Sequence, residues 1–415
     1  MNRILPPQDR PAPSFRTLGV TPGDCLFLSP RGALVGQGRA LSSADLPGLD
    51  PRDQLERMRA EARRRGIEPL VMGALPFEPD GAPALVLPER VLRLSPAQVR
   101  ALRRVPLPAE PPRARALDVV RARQVYLESV ARALDLIASG AVEKLVLSRE
   151  AQFVLGSEID TGQVLQRLLA RHPLSYLFAV PRAIQQAGAR GVFLGASPEL
   201  LISREGDMLR SNPLAGSAPA RSDPAEDAAA VAGLLRSAKD LAEHRLTARA
   251  VARGLRRFCT DVRCPDRPEV LRAGAVHHLS TPVSGRMDGP ARDALDIALA
   301  LHPTPAVGGV PGDAAPGHIR ETEGRERGLY AGMVGWCDAS GDGEWAVSIR
   351  SAEIDGDRVR LFAGAGIVAG SDPEMELAET ETKLRTMLDA LGLAPDRPAT
   401  APAAPDTGSA IEVTR

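Results

Sequence analysis

The order of the predicted strands and helices limits the fold of this chain more than any other sequence feature. After an amphipathic helix that begins near residue 118 and is closed by Gly140, strands follow one another with few helices between them. This arrangement lacks the strict strand–helix alternation of a parallel doubly wound sheet, and we therefore predict an α+β fold. Strands are predicted at 143–155, 176–180 and 191–197, and a short helix at 160–171. Hairpin turns are predicted at Gly206-Asp207 and at 355–357.

Two later segments carry helix start signals. A long helix is predicted from 223 to 258, with Asp223 in its cap and Pro224 in its first turn. The final helix begins with Ser371 as its cap and is closed by Gly392. The N-terminal portion contains two predicted strand segments, at 25–30 and 84–94, and one Arg-rich helix at 51–65.

Proline and alanine content marks the ends of the folded part. Residues 1–14 and 394–415 are predicted to be disordered because they contain too little apolar material to pack. The Pro-rich segment 105–118 is the best candidate for a seam. We expect it to separate an N-terminal portion, 15–110, from a catalytic portion, 111–393, within one compact body.

The overall charge and hydropathy exclude several classes of partner. The formal net charge is zero, whereas nucleic acids and anionic membranes require a basic surface. No run approaches the roughly 18 consecutive apolar residues of a membrane span, and two prolines interrupt the start where a signal peptide needs an apolar core. We expect a cytoplasmic protein, with its four cysteines as reduced thiols.

Lysine is rare in this chain. Of 52 basic residues only three are lysines, namely Lys144, Lys239 and Lys383, and the others are arginines. A guanidinium remains charged in proteins, whereas an amine can lose its proton and act as a base. An arginine-biased composition would leave a few lysines at positions without any role. Only the residues around each lysine can therefore indicate whether it has a function.

The final helix places three polar side chains on one face. Glu376, Glu379 and Lys383 are spaced i, i+3 and i+7. On an isolated helix such residues form a solvated pair on the surface. A second acidic helix segment, "SAKDLAEHRL", contributes Glu243, and one or two carboxylates suit Mg²⁺. We predict that Glu243, Glu379 and Glu376 hold a magnesium ion.

Glycines and one glutamate complete the bottom-up picture. Gly364 and Gly366 interrupt an apolar strand, which indicates that a ligand or another backbone approaches closely. Glu199 lies between a tight turn and leucines, where burial would raise its pKa and make it a proton donor, although a strand-edge glutamate is about equally plausible. Gly216 lies in a small-residue loop. The residues alone indicate a metal-dependent enzyme with an anion pocket, a lysine base and a glutamate acid.

The motifs together resemble those of one family. The segments "EKLVLSR", "GASPELL", "PLAGS", "AKDLAEH", "HPTPAVGG", "LYAGMVGWCD", "EWAVSIR", "LFAGAGIV" and "PEMELAETETKL" resemble, in this order, the chorismate-binding enzymes. The resemblance covers about residues 140–390. It implies an anthranilate synthase component I-like fold, in which helices surround a large β-sheet core, and a Mg²⁺-dependent reaction of chorismate. The stretch around "GWCD" is most similar to the isochorismate synthases that supply 2,3-dihydroxybenzoate siderophores.

The resemblance also implies roles for individual residues. Lys144 would activate the water that attacks C2 of chorismate, and Glu199 would protonate the departing C4 hydroxyl. The magnesium ligands would be Glu243 and Glu379, with Glu376 nearby. The implied substrate-binding residues are Gly216, His278, Thr304, Ala306, Tyr330, Arg350, Gly364, Gly366 and Lys383.

Related reactions remain as alternatives. Aminodeoxychorismate synthases carry a lysine nucleophile where this chain has Ala215. Ala306 and the absence of a later "GxPK" lysine count against a salicylate synthase, whereas Tyr330 counts slightly for one. An isochorismate synthase of the menaquinone pathway and a chorismate-binding regulator without activity are further alternatives. We expect a monomer, with no amidotransferase subunit.

Overall fold

The computed structural model describes most of the chain, namely residues 23–103, 114–117, 119–182, 191–289 and 291–393. The predicted tails, 1–14 and 394–415, lie outside these residues. The same holds for the boundary between the two predicted portions at residue 110 and for most of the predicted seam. These three predictions therefore stay predictions.

The strands are short, and most of them are buried. Within the described residues they are β1 (Cys25–Ser29), β2 (Gly32–Gln37), β3 (Leu41–Ser42), β4 (Val71–Leu75), β5 (Ala84–Leu87), β6 (Arg90–Leu94), β7 (Ala114–Leu117), β8 (Lys144–Leu155), β9 (Tyr176–Arg182), β10 (Gly191–Ser197), β11 (Leu200–Glu205), β12 (Met208–Asn212), β13 (Leu214–Pro219), β14 (Cys259–Arg263), β15 (Glu269–Ala273), β16 (Val276–Ser280), β17 (Val283–Met287), β18 (Gly309–Val310), β19 (Met333–Cys337), β20 (Gly343–Val347), β21 (Ser351–Asp355) and β22 (Arg358–Val368).

The helices lie mainly outside the sheets. In the same residues they are α1 (Pro51–Arg65), α2 (Pro96–Leu102), α3 (Val119–Ala138), α4 (Thr161–Arg171), α5 (Pro224–Leu234), α6 (Ala238–Leu255), α7 (Ala294–Leu301), α8 (Ala315–Glu323) and α9 (Pro373–Leu391). None of them is both long and apolar enough to cross a bilayer.

The strands form two large sheets and one small sheet. The first large sheet has the order β18-β8-β22-β21-β10-β9-β1-β2-β6, with β7 also paired to β8. The second has the order β14-β17-β12-β11-β20-β19-β4-β5-β3, and the small sheet has the order β13-β16-β15. N-terminal strands thus share both large sheets with strands from the rest of the chain. The mixture of antiparallel sheets and covering helices confirms the predicted α+β class.

Packing places the two large sheets face to face. Phe178 and Phe193 of the first sheet have ring centroids 5.4 Å apart and lie in one buried cluster with Met72 and Val334 of the second sheet. Helices α4 and α9 cover the outer face of the first sheet. Helices α1, α6 and α7 pack on the second sheet. Apolar burial on both faces holds this layered body together.

Three predicted element boundaries were wrong. The segment 84–94 is not one strand, because Pro88 has no amide hydrogen to continue a ladder, and the chain changes from the second sheet to the first there. The helix predicted at 223–258 breaks, and the Ser237 side chain caps α6 by accepting a hydrogen bond from the Asp240 amide. The cap of α9 is Asp372, whose side chain accepts a hydrogen bond from the Met375 amide, and not Ser371.

Candidate active site

A polar cavity lies where the small sheet, α6 and α9 meet the paired strands β8 and β22. Its space, including the opening to solvent, is about 700 Å³, within the usual range of small-molecule sites. Eleven of the fourteen predicted site residues line it: Glu199, Gly216, Glu243, His278, Ala306, Tyr330, Arg350, Gly364, Gly366, Glu379 and Lys383. The tertiary structure therefore brings together residues from almost 200 positions of sequence.

Lys144 lies directly behind the cavity wall. It is the first residue of β8 and is 0% exposed. Its Nζ lies 2.9 Å from Oε1 of Glu243 on α6. The two groups are in contact, but Nζ makes no hydrogen bond with any residue that the structure describes.

Gly366 provides the space for this pair. It lies on β22 opposite Val146 of β8. A Cβ atom on Gly366 would lie 2.4 Å from Oε1 of Glu243 and 3.1 Å from Cε of Lys144. A side chain at this position would therefore displace both charged groups. A group does approach this glycine closely, but it is the side-chain carboxylate of Glu243 and not the ligand or backbone that the sequence predicts.

Every lysine of the chain pairs with one of the three predicted metal ligands. Besides the Lys144–Glu243 pair, Nζ of Lys239 lies 3.0 Å from Oε1 of Glu376. The Nζ of Lys383 lies 2.6 Å from Oε1 of Glu379 and donates to the Gly364 carbonyl at 2.7 Å. Each of the three carboxylates thus has a lysine Nζ within 3.0 Å. Chance placement of the lysines does not explain this pattern.

The carboxylates of α9 differ in their pKa values. Burial raises the pKa of Glu376, although hydrogen bonds from Ser371 and Lys239 act in the opposite direction. Burial also acts to raise the pKa of Glu379, but the charge and hydrogen bond of Lys383, together with a hydrogen bond from Ser217, outweigh it and lower the pKa. Glu379 therefore stays ionised at neutral pH. It lines the cavity, whereas Glu376 lies behind it, 4% exposed.

Glu199 has the environment of a neutral acid. It lies in the turn between β10 and β11 and is 3% exposed, and from the described residues its carboxyl group accepts one long hydrogen bond, 3.5 Å, from the Leu214 amide. Burial raises its pKa to about 8, although that hydrogen bond and the charges of Lys144, Lys383 and Arg350 act to lower the pKa. The carboxyl group is therefore mostly protonated at pH 7, as the sequence predicts.

Arg350 and His278 form a second buried polar pair. Nη2 of Arg350 lies 2.9 Å from Nε2 of His278, and Nδ1 of His278 lies 3.2 Å from the Gly216 carbonyl. A carbonyl only accepts, so Nδ1 carries the hydrogen, and Nε2 accepts from the guanidinium. Burial and the Arg350 charge hold the pKa of His278 well below its ordinary value. Arg350 has a φ of +54°, which is rare for a residue with a side chain.

An aromatic wall closes another side. The ring of Tyr330 stacks on that of Phe362, with centroids 5.1 Å apart. Burial raises the pKa of Tyr330 to about 12, so its hydroxyl is neutral and can donate. A Cβ on Gly364 would lie 3.2 Å from that hydroxyl and 2.8 Å from the Leu147 carbonyl. Gly364 therefore allows the tyrosine to reach the cavity.

Three predicted site residues do not line the cavity, and the sequence interpretation missed several residues that do. Thr304 does not line the cavity but accepts a hydrogen bond from the Ala306 amide at 3.3 Å. Lys144 and Glu376 also lie behind the wall. The sequence interpretation missed Ser217, Arg327, Ile349 and Phe362, all of which line the cavity. Arg327 lies in "GRERG", where nothing in the pattern separates a buried arginine from its exposed neighbours.

The donor set of the cavity is compatible with a magnesium ion. Glu243 and Glu379 are oxygen donors on its wall, and Gly366 leaves the space that Glu243 occupies. Mg²⁺ in proteins commonly takes one or two carboxylates and completes its shell with substrate oxygens and water. Among the residues that the structure describes, no three His, Cys, Asp or Glu side chains lie close enough together to hold a metal ion by themselves. The two cavity carboxylates fit the ion only as part of a shared shell.

Comparisons with known proteins agree with this geometry. A family model described as "Chorismate binding enzyme" matches residues 90–392. Isochorismate synthase DhbC of Bacillus subtilis (strain 168) is 41% identical over 390 residues, which cover 90% of this chain and 94% of that protein. A crystal structure described as a putative 2,3-dihydroxybenzoate-specific isochorismate synthase, DhbC from Bacillus anthracis, has a TM-score of 0.81 and 37% identity. It covers 90% of this chain and 98% of that chain.

A structure with lower sequence identity shares the fold. Anthranilate synthase component I from Streptococcus pneumoniae TIGR4 has a TM-score of 0.65 and 24% identity, covering 92% of this chain and 95% of that chain. At this identity the similarity concerns the fold alone. It confirms the predicted anthranilate synthase component I-like architecture.

Proposed function

The chain belongs to the chorismate-binding enzymes, and from that premise we propose that it is an isochorismate synthase, an isomerase that converts chorismate to isochorismate. Water adds to C2 of the ring, the double bonds shift, and the C4 hydroxyl departs as water. One water enters and one leaves, so no oxidant or reductant is needed. The isochorismate synthases among the relatives, at 41% identity over 90% of the chain, support this reaction.

The observation that carries the proposal is the protonated Glu199 in the cavity wall. A departing hydroxyl needs a proton, and an acid with a pKa of about 8 holds one at neutral pH. A carboxyl group at its ordinary pKa would have lost that proton. We assign Glu199 as the general acid.

Lys144 is the proposed base. Its Nζ lies behind the cavity wall, close enough to Glu199 for the two groups to interact electrostatically. An amine can take a proton from the attacking water, which an arginine at this position could not do. This requirement explains why an arginine-rich chain has a lysine here.

The remaining polar groups bind and orient the substrate. Arg350, fixed by His278, and the backbone around Gly364 and Gly366 would hold the enolpyruvyl carboxylate. Glu243 and Glu379, with Glu376 behind them, would hold Mg²⁺, which when bound supplies positive charge for the ring carboxylate. Gly216, Ala306, Tyr330 and Lys383 would shape the pocket, supported by Thr304.

Competing reactions of the family find less support. Ala215 lines the cavity, and its methyl group cannot serve as the nucleophile that aminodeoxychorismate synthases carry there. The observation that favours a second activity is Tyr330, whose neutral hydroxyl reaches the cavity and could donate to the enolpyruvyl ether oxygen. Pyruvate elimination, which would make the chain a salicylate synthase, is therefore the alternative to test.

Product analysis tests the proposal. The purified chain is incubated with chorismate and Mg²⁺, with and without ammonium, and products are separated by chromatography while pyruvate is assayed. We expect isochorismate without pyruvate, lost on addition of EDTA and lost in Lys144→Met. Salicylate with pyruvate would establish the lyase instead. An amino product that depends on ammonium would establish an aminating enzyme, and unchanged binding without turnover would leave only a chorismate-binding protein.

We further propose that the product enters 2,3-dihydroxybenzoate siderophore synthesis and not the menaquinone pathway. The structure described as 2,3-dihydroxybenzoate-specific is 37% identical to this chain, whereas one described as menaquinone-specific, from Escherichia coli, is 25% identical at similar coverage. Complementation of a siderophore-deficient strain, scored against menaquinone rescue, tests this. We also propose a cytoplasmic monomer without an amidotransferase subunit. Four unpaired cysteines fit a reducing compartment. Light scattering should give a mass near 44.0 kDa.

A further inference from the structure

Arg327 is an almost completely buried cation beside the cavity. Its side chain and that of Glu323 are each 1% exposed, and Nη2 lies 2.5 Å from Oε1 of Glu323. The same guanidinium donates to the Val307 carbonyl at 2.7 Å and to the Val146 carbonyl at 2.6 Å. Arg327 therefore links the Lys144 strand, two residues after the lysine, to the loop that contains Ala306.

The Arg327–Glu323 pair replaces a missing stretch of strand. The outer edge of β8 pairs with β18 at Lys144 and Leu145, and with β7 from Gln152 onwards. Between these contacts, the Ser148 amide donates to Glu323 at 2.7 Å and the Val146 carbonyl accepts from Arg327. Buried backbone groups need such partners. Two side chains thus complete the ladder beside Lys144.

The N-terminal portion holds the arginine in place. The Glu78 carboxylate accepts hydrogen bonds from the amides of Arg327 and Gly328, at 2.7 and 3.1 Å. The guanidinium lies over the ring of Phe77, 4.4 Å from its centroid. The Phe77 amide in turn donates to the Gly328 carbonyl at 2.8 Å. Contacts of this number fix both the backbone and the side chain of Arg327.

We propose that Arg327 is a positioning residue that sets the place of Lys144 relative to the cavity, and that Phe77 and Glu78 are the contribution of the N-terminal portion to the active site. The inference rests on the proposed function for its kinetic readout. Four of the five guanidinium N–H groups have partners in the chain. The charge of Arg327 is neutralised by Glu323, so its principal role is to hold the wall and not to bind the substrate.

The variant Arg327→Lys tests this role. A lysine can still pair with Glu323, but it has no planar fork that reaches both carbonyls. A displacement of the reacting groups by about 1 Å can cost on the order of 100-fold in rate. We expect kcat for isochorismate formation to fall by about 10- to 100-fold, with KM changed by less than about threefold.

Arg59→Lys is the matched control. Arg59 is also buried, pairs with Asp293 at 2.8 Å and donates to the Asp338 carbonyl at 2.5 Å, but it lies outside the cavity. Both variants should lose thermal stability, measured by the unfolding midpoint, while Arg59→Lys keeps kcat within about twofold. Equal kcat in the two variants would overturn the proposal. A raised KM with unchanged kcat would overturn it as well, because Arg327 would then bind the substrate.

Glu78→Gln provides a second test that keeps the whole guanidinium network. The amide retains one acceptor oxygen for the two backbone amides, so the fold should survive. We expect kcat to fall by about threefold, again with KM nearly constant, and an unchanged kcat would remove the N-terminal portion from the proposal. Turnover of chorismate by the wild-type protein distinguishes failure of the proposed function from failure of the positioning role. If the wild type does not turn over chorismate, the proposed function fails. If it does, the variants test only the positioning role of Arg327.

Discussion

Glu379 and Glu199 lie on two walls of the same cavity, and their pKa values are shifted in opposite directions. At the wall formed by α6 and α9, Glu243 and Glu379, and Glu376 behind them, each touch a lysine at 2.6–3.0 Å. On the wall at the β10–β11 turn, the Glu199 carboxyl group touches no cation among the described residues and accepts one long hydrogen bond from them. The pKa of Glu379 is lowered, whereas the pKa of Glu199 is raised to about 8.

Burial and cations act against each other on these pKa values, and contact with a lysine does not decide the outcome by itself, because burial still raises the pKa of Glu376 although Lys239 donates a hydrogen bond to it. Three cations act on Glu199 from a distance, yet the cost of removing its charge from water prevails. At Glu379, contact with Lys383 and a hydrogen bond from Ser217 together outweigh burial. One cavity can thus hold an acid that keeps its proton beside carboxylates that are available to a cation.

The largest expected effect comes from removing the acid. Glu199→Gln keeps the shape of the protonated group but cannot release a proton, so kcat should fall by about 10²- to 10⁴-fold. Stopped chromatographic assays would measure it. Glu344→Gln is the control, since Glu344 is also buried with its pKa raised by burial, but lies outside the cavity. A comparable loss in both variants would remove the role of Glu199.

The next effect comes from breaking the contact on the other wall. Lys383→Met removes the main partner of Glu379, whose pKa should then rise because burial is opposed only by the Ser217 hydrogen bond and the charge of Lys239. We expect kcat/KM at neutral pH to fall by about 10- to 100-fold, corresponding to the roughly 1.5–3 kcal/mol of a charged hydrogen bond. The acidic limb of the pH profile should move to higher pH. A profile that does not move would show that the Lys383 contact does not lower the pKa of Glu379.

Raising the pH should weaken the contrast between the walls. Glu199 loses its proton as pH passes about 8, so activity should decline above that value. Its folded pKa lies above its unfolded pKa, so its contribution to stability is full below the unfolded value near 4.5 and is lost as pH rises through 8. The unfolding free energy of Glu199→Gln, relative to wild type, should therefore increase between pH 5 and pH 8. Denaturant titrations at several pH values would measure this.

The smallest effect is expected at Lys239. Its side chain is 45% exposed, so solvent screens much of its attraction to Glu376. Lys239→Met should change kcat by less than about threefold and stability by less than about 1 kcal/mol. Calorimetric titration with Mg²⁺ should show slightly tighter binding, since one competing cation is gone. A loss of activity as large as that of Lys383→Met would place Lys239 inside the reacting cavity.

The sequence predicted the parts whose signals are local. The glycines of β22, the acidic face of α9 and the turn that holds Glu199 each carry a pattern that a few residues reveal. The break of the long helix at Ser237 and the change of sheet at Pro88 were missed, because competing local preferences decide them only in context. Arg327 was missed for a different reason: its partners come from positions 78, 146, 307 and 323.

By itself the sequence determined the α+β class, the family and the identity of the chemical groups, because spacing on strands and helices and the choice of lysine over arginine are properties of short segments. Only the tertiary structure decided which glutamate faces which lysine, which of them reach the cavity, and which keeps its proton. These outcomes depend on burial and on distances of a few ångströms between residues far apart in the chain. Desolvation and direct ion contact act over those distances, and no sequence spacing encodes them.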